Sequence, residues 1–166
     1  MTTQIYTVGY GRMAPDKIRE MAIDLGAVVV DIRFSAWGKP GYKKFELVRL
    51  LGEQYTHLPA LGNAAYKTGG MRLADYDRGK AFLTSLGRPA ILMCACADPD
   101  GCHRTLVGAL LAADGFNVTE LNQPTAPAAP ASAQMPLRRT VGERRNRATA
   151  PAAPASAQMS LWSHEP

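Results

Sequence analysis

Between positions 94 and 104 the chain reads Cys94-Ala95-Cys96-Ala97-Asp98-Pro99-Asp100-Gly101-Cys102-His103-Arg104, a stretch that holds all three of its cysteines. A thiolate is a nucleophile and a metal ligand, an imidazole moves protons at neutral pH, and a guanidinium clamps anions. If His103 and Arg104 open a helix, its free amides and dipole draw anions to the same place and favour a thiolate beside them. Cys94 then reads either as a nucleophile or as a buried packing residue. His103 reads as the acid–base group, Arg104 as the anion clamp and Cys102 as a substrate neighbour. Two other stretches carry similar chemistry, Gly9-Tyr10-Gly11-Arg12 and Asp31-Ile32-Arg33. Asp31 and Arg33 either orient a substrate or pair with each other. Tyr10 either stacks on a base or covers the core.

Metal and phosphatase chemistry are weighed on spacing. Cys94, Cys96, Cys102 and His103 are donors of the types that hold zinc. Their order is C-x-C-x5-C-H rather than paired C-x2-C, and adjacent Cys102 and His103 at a helix start are expected to diverge. The expectation is therefore no metal site and no cofactor. A tyrosine-phosphatase loop needs an arginine six positions after its cysteine, and Asp100 and Cys102 stand there instead.

The elements that must position these residues alternate along the first 121 positions. Ile5-Tyr6-Thr7-Val8 is β-rich. Pro15 suits a first helical turn, Ile18, Met21, Ala22 and Leu25 follow at helical spacing, and Gly26 ends the helix. Ala27-Val28-Val29-Val30 is a continuous apolar run, as for a strand covered on both faces. A Gly-, Lys- and aromatic-rich loop over 34–42 precedes a helix over 43–52 and a short strand, Tyr55-Thr56-His57-Leu58. After a long loop over 59–72 come a helix from Asp75 to Leu86, a buried strand ending at Cys94, and a polar loop over 95–102. A helix from Arg104 to Ala113, with Leu106, Val107, Leu110 and Leu111 toward the core, leads to a last strand, Asn117 to Leu121. The expected fold is α/β: a mostly parallel five-stranded sheet with helices on both faces. In such sheets ligands bind beyond the carboxyl ends of the strands, where all three loaded stretches fall. Arg12, Lys39, Lys43, Lys44, Lys67 and Arg72, interleaved with Trp37, Tyr42 and Tyr66, read as a rim that tracks phosphates and stacks bases, or as a solvated basic surface. His57 reads as a satisfied core histidine.

Four motifs carry a resemblance: Thr7-Val8-Gly9-Tyr10-Gly11, Val30-Asp31-Ile32-Arg33, Tyr55-Thr56-His57-Leu58-Pro59-Ala60-Leu61-Gly62 and the 94–104 stretch. Together, over about residues 4–121 and in this order, they resemble the DUF488 family. That resemblance implies an α/β domain and no defined activity. The family pattern has an acidic residue two positions after the first cysteine, where this chain has Cys96. Val30-Asp31-Ile32-Arg33, His57-Leu58-Pro59-Ala60 and a strand ending in cysteine before a helix also resemble a rhodanese-like sulfurtransferase, in which Cys94 would carry the persulfide.

Composition divides the chain in two. Its formal net charge is +5, yet residues 122–166 hold five arginines, no lysine and only two acidic residues. They also hold seven of the twelve prolines and a single aromatic, Trp162. Such a segment buries too little apolar surface to offset chain entropy, so it is expected to be a disordered tail. Within it, the thirteen residues from Thr125 to Leu137 recur from Thr149 to Leu161 with one change, Pro136 to Ser160. Residues 122–157 read as a Pro/Ala/Arg linker, and residues 158–162 as a peptide. Gln158-Met159-Ser160-Leu161-Trp162 resembles the pentapeptide by which bacterial replication and repair proteins grip the β sliding clamp, with Gln158 as polar anchor, Met159 at the aliphatic position, and Leu161 and Trp162 filling an apolar pocket. Clustered cysteines, no secretory leader and no long apolar run suggest a reduced, cytoplasmic protein without a membrane partner.

The sequence thus points to an enzyme of DNA transactions, tethered to the clamp, acting on DNA, a nucleotide or a modified base by hydrolysis or group transfer. Its partners would be the clamp and DNA. The expected catalytic residues are Cys94, His103, Arg104, Asp31 and Arg33. Tyr10, Arg12, Cys102, Trp37 and Tyr66 would meet the substrate. A rhodanese-like sulfur or phosphate enzyme and a non-enzymatic DNA or clamp adaptor are the alternatives.

Overall fold

The computed structural model describes residues 3–121. Five strands and four helices alternate: β1 (Gln4–Gly9), α1 (Pro15–Asp24), β2 (Val28–Asp31), α2 (Lys44–Leu51), β3 (Tyr55–His57), α3 (Tyr76–Ser85), β4 (Ala90–Cys94), α4 (His103–Ala113) and β5 (Asn117–Glu120). Every pairing in the sheet is parallel, and the order is β3-β2-β4-β1-β5. The expected α/β class is observed, with a sheet wholly rather than mostly parallel. Among the described residues no helix is long and apolar enough to cross a membrane. The linker over 122–157 and the peptide over 158–162 lie outside the described residues.

The order follows from chain direction. From β1 to β2 to β3 the chain steps toward one edge, then β4 returns between β2 and β1, and β5 continues beyond β1. Right-handed crossovers therefore put α1 and α2 on one face and α3 and α4 on the other. Alternating side chains serve the two cores. Ile5, Val28, Val30 and Leu92 pack with Leu83, Val107 and Leu111, while Val8, Val29, Ile91 and Met93 pack with Ile18, Ala22, Leu47 and Leu51. Because β4 lies between β1 and β2 but sends its helix to the opposite face, the loops beyond these strands part. The crevice this opens is the usual ligand position in open α/β sheets.

Two local readings change. Leu106 and Leu110 are 38% and 36% exposed, and the buried stripe of α4 is Arg104, Val107, Gly108 and Leu111. Val107 and Leu111 thus face the core as expected, while Leu106 and Leu110 do not, and Arg104 joins the buried stripe. The loop over 59–72 is also more ordered than its glycines suggested. The Asn63 side chain donates to the Gly70 carbonyl at 2.8 Å and accepts from the Ala65 and Arg72 amides, each at 3.0 Å. These bonds tie the loop to itself around Tyr66.

Candidate functional site

The loop over 95–102 crosses the end of β1, and the glycines there make room for it. A Cβ on Gly9 would overlap the Cys96 carbonyl oxygen and the Arg104 guanidinium. One on Gly11 would come within 2.7 Å of the Ala97 amide nitrogen. The loop also ties itself down. Asp98 Oδ1 accepts from the Asp100 amide at 3.0 Å, the Cys102 amide donates to the Pro99 carbonyl at 3.0 Å, and Thr105 Oγ1 donates to the same carbonyl at 2.7 Å.

Arg104 holds this arrangement from beneath. Its Nε donates to Glu120 at 3.1 Å, and its Nη1 donates to Cys94 Sγ and the Cys96 carbonyl, both at 3.2 Å. The side chain is fully buried, and Nη2 has no hydrogen-bond partner among the described residues. Placed this way, Arg104 does not reach a ligand in the crevice; protein atoms and a sulfur surround it.

The three sulfurs meet above that guanidinium. Cys94 Sγ and Cys102 Sγ are 3.2 Å apart, and the sulfurs of Cys94, Cys96 and Cys102 all lie within 4.8 Å of one another. Cys94 and Cys102 are buried and Cys96 is exposed. The hydrogen bond from the Cys94 thiol holds Cys102 toward its thiolate form, with help from His103 and the backbone amide of Arg104. The same bond to Cys102, reinforced by Cys96 and by burial, pushes the Cys94 thiol up. Cys94 therefore supports Cys102 and is not itself open to substrate.

Cys102 and His103, expected to diverge, converge. Cys102 is the extended residue before α4, so its side chain does not follow the helical projection of His103. His103 Nδ1 lies 3.9 Å from Cys102 Sγ, and its Nε2 donates to the Ile32 carbonyl at 3.1 Å. Burial works against the charged imidazole, but the Cys102 hydrogen bond and charge outweigh it and raise its pKa.

A second network closes the neighbouring strand end. Asp31 is fully buried and accepts from Arg33 Nε at 2.8 Å, Arg33 Nη2 at 2.5 Å, the Arg33 amide at 3.1 Å and the Tyr55 hydroxyl at 2.7 Å. Arg33 Nη1 donates to the Tyr10 hydroxyl at 2.8 Å, and Tyr10 stacks on Tyr42 with centroids 3.7 Å apart. Asp31 and Arg33 thus pair with each other. Tyr10 and Tyr42 are buried rather than available to a base. Lys39 donates to the carbonyls of Tyr10, Gly11 and Met13, which folds the loop over them. His57 is half-buried and bonds through Nε2 to the Arg33 carbonyl at 2.9 Å.

What remains open is aromatic and basic. A cleft of about 470 Å³ is lined by Phe34, Trp37, Tyr66, Cys96, Cys102 and His103. It continues, across Phe34, Trp37 and Tyr66, into a groove of about 800 Å³ that reaches Lys43, Lys44 and Phe45. Trp37 is 75% exposed and Tyr66 48%. Lys43 Nζ sits 5.9 Å from the ring centroids of both Trp37 and Phe45, and Lys67 Nζ 5.9 Å from that of Tyr66.

No protein-family model matches the chain, nor does any curated protein or solved structure.

Of the expected site residues, the crevice brings Cys102, His103, Trp37 and Tyr66 to one opening, with Arg33 at its wall. Cys94, Arg104 and Asp31 lie below it, and Arg12 is exposed in the turn after β1, away from the cleft lining. Sequence reasoning missed Phe34 and Phe45. Phe34 directly follows Asp31-Ile32-Arg33 at a strand's carboxyl end, which is the signal that would have found it. Phe45 sits on the exposed side of α2, a place that apolar spacing assigns to no role.

Proposed function

We propose that the protein serves DNA transactions by taking an unstacked base of single-stranded or opened DNA into the aromatic cleft. The observation that carries this is the run of exposed rings, Phe45, Trp37, Phe34 and Tyr66, with lysine ammonium groups over three of their faces. Every base offers a π-face, so stacking of this kind tolerates any sequence, while lysines follow the phosphates. The residues expected to do chemistry are mostly engaged with one another, as Asp31 is with Arg33 and Arg104 with Cys94, which favours a binding module. A catalytic reading retains one specific support: Cys96, Cys102 and His103 line the cleft that would hold the base, where a hydrolytic or group-transfer step would occur.

Labelled single-stranded and duplex oligonucleotides, titrated by fluorescence anisotropy, test the binding. The single strand should bind more tightly, and Trp37→Ala should weaken it by about 5- to 150-fold, the ~1–3 kcal/mol of one base–aromatic stack. Equal affinity of the Trp37→Ala and native chains would contradict the assignment.

The clamp reading rests on Gln158-Met159-Ser160-Leu161-Trp162 alone. A grip on the clamp would raise the concentration of the cleft near DNA without any new contact. Removing residues 158–166 should abolish binding to a bacterial β clamp in calorimetry and leave single-strand binding by the cleft in place. Undiminished clamp binding after truncation would remove the peptide from the account.

A further inference from the structure

We infer that Cys94, Cys96, Cys102 and His103 hold one zinc ion, which fastens the 95–102 loop to the start of α4. The three sulfurs lie within 4.8 Å of one another, and the closest pair is 3.2 Å apart. Thiolates at about 2.3 Å from a tetrahedral zinc stand about 3.8 Å from one another, so only small side-chain shifts are needed.

The imidazole stands beside the three sulfurs, near Cys102, and must swing toward the farther of them to become the fourth donor. A backbone carbonyl can only accept, so the bond to Ile32 places the proton on Nε2. In the neutral imidazole that leaves the Nδ1 lone pair on the side of Cys102 Sγ, 3.9 Å away. Zinc-bound histidines commonly donate their other ring nitrogen to a carbonyl or carboxylate in this way.

The charge also suits the ion. Three thiolates with one zinc leave a net charge of −1, and the buried Arg104 guanidinium lies against Cys94 Sγ at 3.2 Å to offset it. On binding, the thiol protons and the Nδ1 proton of the charged imidazole pass to solvent, and no electrons move. Cys96 supplies the third sulfur. It is exposed on the cleft side, so the ion has a route in.

The inference does not depend on the cleft taking a base, because metal is measured on the free chain. The full-length protein, kept reduced, is analysed for zinc by mass spectrometry and titrated with zinc against a chromophoric chelator. One zinc per chain is expected. Cys96→Ser, a change at an exposed position, should weaken zinc binding by more than the ~100-fold that loss of an outer partner can cost. Cobalt should give the intense near-ultraviolet bands of thiolate ligation in the native chain, and His103→Ala should shift its visible bands. Circular dichroism confirms that each variant is folded. Absence of stoichiometric zinc, equal affinity in Cys96→Ser, or cobalt spectra without thiolate bands would overturn the inference. Visible bands that His103→Ala leaves unmoved would overturn the imidazole's place in it.

Discussion

Replacing Asp31 by alanine is expected to destabilise the domain by about 3–5 kcal/mol, the usual result of leaving one member of a buried ion pair alone. The carboxylate is wholly buried and accepts four hydrogen bonds, three from Arg33 and one from Tyr55. Without it the Arg33 guanidinium, 5% exposed, keeps only the Tyr10 hydroxyl. The double variant Asp31→Leu/Arg33→Met should recover much of the loss, since well-packed apolar groups can replace a buried pair at little cost. Urea denaturation of both variants measures this. A loss under about 1 kcal/mol in the single variant, the scale of an exposed pair, would show that Asp31 is not closed into the network.

Gly9→Ala is the second large effect, at about 3 kcal/mol, the upper part of the range for overpacking a tight interior. The reason is contact and not backbone conformation. Gly9 has φ −110° and ψ 120°, which any residue adopts. Its missing Cβ is what lets the Cys96 carbonyl and Arg104 pass. Because one of the obstructing atoms is backbone, relief requires the thiol loop itself to move. The variant should therefore both unfold earlier in urea and expose Cys94 and Cys102 to a thiol reagent in the native state. Unchanged stability together with unchanged thiol reactivity would show that the loop does not press on β1.

Much of the scaffold was legible because local signals agreed. Pro15 does open a helix, Val28–Asp31 is buried on both faces, and the chemistry-bearing loops do fall at the carboxyl edge. The finer placement of side chains was not, and the causes are long-range. Arg104 takes a core position on α4 because Glu120, on β5, and Cys94, on β4, supply the bonds that make its burial tolerable. No spacing within α4 announces those partners. Tyr42 sits in a Gly- and Lys-rich loop that reads as surface, and Tyr10, in the turn after β1, could equally meet a base or cover the core; Lys39 draws the loop onto that turn by gathering three carbonyls. Trp37, in the same loop, is left outside. Which aromatic covers the core and which faces solvent depends on that lysine's contacts across the loop. The convergence of Cys102 and His103 likewise depends on one residue being the extended cap and the next the first of the helix, a boundary that sequence places only to within a few positions.

The most direct measurement of the central claim is photocrosslinking of the full-length chain to an iodouracil-substituted single strand, with the joined residues mapped by mass spectrometry. A base held in the cleft should join to Trp37, Tyr66 or Phe34, and the yield should fall when unlabelled single strand competes. Crosslinks confined to residues outside the cleft and its groove, with Trp37, Tyr66 and Phe34 unmodified, would contradict the proposed binding of an unstacked base.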